Sequence, residues 1–138
     1  PDHNHKINFT PNDKLPLFKI DGGLIEQVLH NLIHNAIQYT PENTNIEIEC
    51  LYNHNKCIII ISDNGKGFSE NEIALVFDKF YRLPNSKAGG SGLGLSIVKG
   101  FIEAHNGTIT LKNNSKGGAE FTIEISAETS FLNSLKNE

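Results

Sequence analysis

Between residues 24 and 39, apolar side chains fall at Leu24, Ile25, Val28, Leu29, Leu32, Ile33, Ala36 and Ile37. This is the spacing of the buried stripe on an amphipathic helix. Asp21-Gly22-Gly23 supplies a start signal ahead of it and Thr40-Pro41 a stop. The opposite side carries Gln27, Asn31, Asn35 and Gln38, which at ~100° per residue line up as one row of amides. Asn is a mediocre helix former that prefers caps and turns, so two of them one turn apart carry a small propensity cost. On this helix alone, a merely polar face and a functional one remain equally open.

The rest of the chain alternates. Residues 5–9 read as an edge strand, 10–15 as a turn-rich stretch and 17–20 as a second short strand. Ile46, Ile48 and Cys50 alternate with polar neighbours, 53–56 make a turn, and 57–62 is a β-branched run suited to a central strand, so the pair predicts a hairpin. Ser69 and Glu72 form a capping box for a helix of roughly two turns, ending near Phe77 or Phe80. Residues 81–96 hold Pro84 and several glycines and read as a mobile loop. From Leu95 the helical period returns through Val98, Lys99 and Ile102, and Asn106-Gly107 ends it with glycine past the last turn. Ile109 and Leu111 belong to a strand, 113–118 to a turn, and Phe121, Ile123 and Ile125 to the last strand, leaving 127–138 as a loose tail or short helix. The order predicts an α+β fold, a two-layer sandwich whose mixed, mostly antiparallel sheet of about five strands is covered by three helices on one face. The other face is expected to be solvated.

A chain of 138 residues makes one domain, placed at residues 1–126, with a core that needs no staples. A net charge of −4 and the lack of basic runs argue against a nucleic-acid surface. Cys50 and Cys57 match no zinc spacing and read as reduced, buried thiols. No apolar run is long enough to span a membrane. The opening at Pro1-Asp2, without an initiator Met, reads as a piece cut from a longer protein.

Three stretches offer chemistry. Asp63-x-Gly65-x-Gly67 puts a carboxylate at a strand end beside glycine backbone that a flat ring can approach; an acceptor-only carboxylate suits an exocyclic amine such as that of adenine. Gly89-Gly90-Ser91-Gly92-Leu93-Gly94-Leu95 lacks the Lys of a P-loop and opens no βαβ unit. It offers free N–H groups and the positive end of a helix to an anion. Residues 77–82 bring aromatics and two cations. Phe77 and Phe80 are expected to anchor the loop base, Arg82 suits bidentate phosphate contact, and Lys79 is the weaker candidate. Each signal alone fits an ordinary turn, a flexible loop or core packing.

In this order, the Asn-x-x-x-Asn helix, D-x-G-x-G-F, F-x-x-F-Y-R and G-x-G-L-G-L closely resemble the nucleotide-binding boxes of sensor histidine kinases. These belong to the Bergerat-type superfamily that also holds type II topoisomerases, mismatch-repair ATPases and the ninety-kilodalton heat-shock chaperones. The resemblance spans residues 6–125 and is greatest toward the potassium-responsive branch. It implies ATP and Mg²⁺ as cofactors, with Asn35 as the metal ligand and Asn31 near the phosphates. By the same resemblance Asp63 reads adenine, Gly65 and Gly67 lie beside the base, and Tyr39 stacks on it. Arg82 contacts phosphate, with Lys79 a further candidate, while Gly90, Gly92, Leu93, Gly94 and Leu95 form the lid. Asn31 and Arg82 would carry the catalytic role. Two departures stand out: Gln38 where the family often has Lys or Arg, and Ala119 where it often has Thr.

Asn31 stands where the superfamily's ATP hydrolases carry a general-base Glu, and an amide cannot take a proton near neutral pH. This favours phosphoryl transfer to a histidine, with positioning and charge neutralisation carrying the catalysis. None of the six histidines lies in a phosphoacceptor context. His30 and His34 read as partly buried structural residues. The resemblance therefore implies an upstream dimerisation domain bearing the acceptor, a response regulator as partner, and a cytoplasmic location under a membrane-anchored parent. The chain alone is expected not to phosphorylate itself. A regulatory nucleotide-binding module without transfer activity and a stand-alone anti-sigma-type serine kinase remain as alternatives.

Overall fold

Alternation of polar and apolar residues over Asn45–Cys50 gives β3 (Asn45–Asn53) one face for a core, and β4 (Lys56–Asp63), which carries a continuous apolar run, buries every second residue on the same side. They are joined by a two-residue turn in which His54 and Asn55 both have positive φ, 49° and 61°. That backbone matches the twist of the paired strands. The computed structural model describes residues 5–11, 17–19, 22–79, 81, 93–126 and 128–130. Together with β1 (Lys6–Pro11), β5 (Gly107–Asn113) and β6 (Ala119–Ser126), the hairpin builds a five-stranded sheet of order β1-β3-β4-β6-β5. Among the described neighbouring strands of this sheet, β1 and β3 pair parallel and the other pairs are antiparallel. The run at 57–62 thus lies in the central strand and β1 at an edge, as the patterning predicts.

Helix α1 (Gly22–Tyr39) buries Val28, Leu32 and Ala36, and α3 (Leu93–Ala104) buries Leu95, Val98 and Ile102. They close over Ile46, Ile48, Ile59, Ile61, Phe121, Ile123 and Ile125 of the sheet. Helix α2 (Glu70–Leu75) is shorter than expected, although its capping box is complete: Glu72 N–H donates to Ser69 Oγ at 3.2 Å and Ser69 N–H to Glu72 Oε1 at 2.8 Å. The chain turns at Val76, which is buried, and Phe77 packs edge-on against Phe121 at 6.2 Å, so Phe77 does anchor this corner. Phe80 lies outside the described residues.

Several boundaries differ from the sequence reading. Thr10 and Pro11 continue β1 where a turn was expected, because they pair with Glu49 and Cys50 of β3. Residues 17–19 form β2 (Leu17–Lys19), which leaves the main sheet and pairs antiparallel with β7 (Glu128–Ser130), inside the stretch read as a tail. Helix α3 starts at Leu93, within the expected loop. Its end is capped by Asn106, whose φ is 60°, rather than by Gly107. Gly107 is needed for another reason: a Cβ there would lie 2.6 Å from the Glu124 carbonyl oxygen of the paired strand. The outer sheet face is exposed at Glu47, Glu49, Thr108 and Thr110, but Ile58 and Ile60 on the same face are half-buried.

Among the described residues, no helix is long and apolar enough to cross a membrane. His30 and His34, expected to be partly buried, are exposed with rings 6.4 Å apart, because they sit on the side of α1 turned from the sheet. No group of three or more His, Cys, Asp or Glu suited to a metal ion occurs among the described residues.

The cap gives a direct test of α2. Ser69→Ala should lower stability by about 1 kcal/mol, seen as a shifted denaturation midpoint with an unchanged slope.

Candidate nucleotide site

Strand β4 delivers Asp63 to the edge of the core, where it is 6% exposed. A buried carboxylate must have its lone pairs met. Its Oδ1 accepts from the Gly65 N–H at 2.8 Å and the Ala119 N–H at 3.3 Å, and its Oδ2 accepts from the Tyr39 hydroxyl at 3.2 Å. Both Oδ1 contacts are backbone groups, so the carboxylate is oriented by the chain path. Ala119, read as a departure from the family pattern, contributes through its N–H.

The glycines around Asp63 have separate reasons. A Cβ on Gly118 would overlap the Asp63 carbonyl, and one on Gly67, whose φ is +71°, would overlap Asn113 Oδ1 and the Gly117 carbonyl. At Gly65 it would press on Asp63 Oδ1 and Thr40 Cγ2 at 3.1 and 3.2 Å. Close backbone approach at the β5–β6 turn thus requires Gly67 and Gly118, while Gly65 makes room for Asp63 and Thr40.

Two further residues hold the loop, and the sequence reading missed both. Asn113 clasps Phe68 by accepting from its N–H at 2.9 Å and donating to its carbonyl at 2.8 Å. The Asn114 side chain donates to the Asp63 carbonyl at 3.0 Å and accepts from the Lys116 and Gly118 N–H groups at 2.9 and 3.1 Å. The pair Asn113-Asn114 reads locally as turn chemistry. Nothing local in the sequence says that it reaches residues about fifty positions away.

Helix α1 brings the amide row to the same place. Tyr39, bonded to Asp63, lies one turn beyond Asn35, and its ring packs on Phe68 at 4.8 Å between centroids. Burial, then the neighbouring Asp63 charge and hydrogen bond, hold the Tyr39 phenol well above its ordinary value. Asn35 Nδ2 donates to the Asn31 carbonyl at 2.8 Å, leaving Oδ1 as the outward acceptor. Gly94, in the first turn of α3, sits against that amide: a Cβ there would lie 3.1 Å from Asn35 Nδ2. Asn31 is half-buried on the same row. Gln38 Oε1 is buried and, among the described residues, has no hydrogen-bond partner.

Tyr39 and Gly65 thus bond Asp63 directly, Asn35 and Asn31 lie one and two turns before Tyr39 on the same helix, Gly94 rests on Asn35 from α3, and Gly67 rests on the β5–β6 turn. Leu95 departs from the expectation: its side chain is in the core, so it can offer a ligand only backbone. Lys79 is exposed beyond α2. Leu93 contributes helix backbone at the start of α3. Arg82, Gly90 and Gly92 lie outside the described residues.

A helix carrying amides is thus laid across a sheet beside a buried strand-end carboxylate and glycine backbone, in a two-layer α/β sandwich. Residues 20–129 match the family described as histidine kinase-, DNA gyrase B- and HSP90-like ATPase, and the chain belongs to it. Sensor protein KdpD of Clostridium acetobutylicum is 37% identical over 129 residues, covering 91% of this chain and 14% of that protein. The KdpD of Escherichia coli is 35% identical, covering 94% of this chain and 14% of its own length. The chain thus spans about a seventh of these relatives. Among solved structures, the catalytic domain of histidine kinase ThkA in a nucleotide-free form superposes with a TM-score of 0.76 at 34% identity, covering 89% of this chain and 79% of that one.

Two measurements test this geometry. Gly67→Ala must both strain the backbone and displace Asn113, so a loss of about 1–3 kcal/mol is expected by chemical denaturation. Tyr39 stays protonated in the fold while its unfolded counterpart ionises near its ordinary value of 10.0. Its contribution to stability is therefore complete below that pH and is lost as pH rises toward the folded value. Tyr39→Phe should flatten this alkaline fall in thermal melts.

Proposed function

We propose that this chain is the ATP-binding catalytic domain of a sensor histidine kinase, delivering the γ-phosphoryl group of ATP to a histidine on an upstream dimerisation domain. The observation that carries this reading is the sharing of one corner by Asp63 and Asn35, joined through Tyr39 and closed by Gly94. Adenine recognition falls to Asp63, an oriented acceptor with backbone on two sides, and the phosphates run along the amide row toward the first turn of α3.

Asn35 suits Mg²⁺: its amide nitrogen is engaged by the Asn31 carbonyl, which presents the hard oxygen to a cation that takes few protein ligands and keeps phosphate and water oxygens. When bound, that cation supplies charge neutralisation for phosphoryl transfer. Asn31 and Arg82 serve as positioning groups for the phosphates, and the lack of a carboxylate at residue 31 disfavours water as the nucleophile. Leu75, Ile97 and Phe101, exposed on α2 and α3, offer apolar surface to the acceptor domain. A response regulator and a membrane-anchored parent complete the reading, with the KdpD-type relatives supporting the potassium-responsive branch.

Calorimetry should show Mg²⁺-dependent ATP binding by the chain. Asp63→Asn keeps acceptors for Gly65 and Ala119, and Tyr39 can turn its hydroxyl to accept, so the fold should survive while affinity falls about tenfold or more. Undiminished binding in that variant would remove Asp63 as the adenine reader. Asn35→Ala should flatten the Mg²⁺ dependence. With the upstream domain and labelled ATP added, phosphohistidine is expected; its absence would favour the regulatory module, a reading to which the buried Oε1 of Gln38 lends some weight.

A further inference from the structure

The β3–β4 hairpin sets Cys50 opposite Ile59 and Cys57 opposite Tyr52, so the two cysteines are diagonal neighbours on one sheet face. They are the only cysteines of the chain, and their sulfurs lie 3.9 Å apart without a bond. Burial divides their roles: Cys57 is buried, whereas Cys50 is partly exposed. Both are at the end of the hairpin away from Asp63.

We propose that Cys50 and Cys57 form a dithiol modification site that takes a low-molecular-weight disulfide as co-reactant and closes to an intramolecular disulfide. The more exposed Cys50 attacks as thiolate on one sulfur of the co-reactant; that disulfide breaks, and the released thiolate takes up the proton Cys50 gave to solvent. Cys57 then loses its proton and attacks Cys50 Sγ, expelling the second thiolate. The two protein thiols are oxidised and one external disulfide is reduced to two thiols, so atoms and electrons balance. The hydrogen bond from the Cys57 thiol supports this order, drawing Cys50 down to about 7 while the same contact keeps the proton on Cys57. Diagonal strand positions lie about 7–8 Å apart, beyond the usual ~4.4–6.8 Å of bridged pairs. Closure therefore shears the hairpin slightly, which makes the bond readily reducible.

The test is to incubate the chain with oxidised glutathione at neutral pH and map peptides by mass spectrometry. The expected result is loss of two hydrogens with residues 50 and 57 linked, reversed by dithiothreitol. Cys57→Ser should instead hold a stable glutathione adduct on Cys50, and Cys50→Ser should react about tenfold more slowly or worse. Wild-type chain that keeps glutathione on Cys50, cross-links only between chains, or reacts only when denatured would overturn the proposal.

Discussion

A carboxylate taken out of water must be met by donors, and Asp63 meets this demand almost wholly with backbone. Two N–H groups from different parts of the chain, the loop after β4 and the start of β6, converge on one of its oxygens, while Tyr39 of α1 holds the other. Removing that convergence would leave the strand end, the loop and the long helix without a common anchor. The Asp63 carboxylate is thus the joint of the corner, and strand end, loop and helix rest on the same atoms.

The surrounding side chains follow from this. The β5–β6 turn has to come close enough for Ala119 to donate, which leaves no room for a Cβ at Gly118 or Gly67. Asn113 and Asn114 then satisfy the backbone groups that this approach takes from solvent. On the far side, Gly94 lets α3 press its first turn onto Asn35, so the amide row and the helix terminus confront the same space. The positive end of one helix and the hard oxygens of another are what a triphosphate with its cation calls for.

Much of this was legible in local sequence. The 3.6-residue period of α1, the twofold period of β3, the β-branched run of β4 and the capping box at Ser69 each reflect interactions within a few residues, so they survive reading in one dimension. The amide row was legible too, because helix geometry alone aligns Asn31 and Asn35. Other features depend on distant partners: Asn106, not Gly107, takes the left-handed turn because Gly107 must admit the Glu124 carbonyl, Gly94 belongs to α3, and β7 is a strand through its pairing with β2. Leu95 looked like lid and proved to be core.

Which segments become helix or strand, which faces they bury and which polar residue types sit on α1 and after β4 all follow from neighbours along the chain. Packing between elements is what makes Tyr39 donate to Asp63, lets Asn113 and Asn114 clasp a loop remote in the chain, and brings two thiols seven positions apart within 3.9 Å. The reason is physical. Periodicity is set by bond geometry along the chain, whereas hydrogen bonds and close packing between elements depend on sheet order and register, which are chosen by the whole core at once.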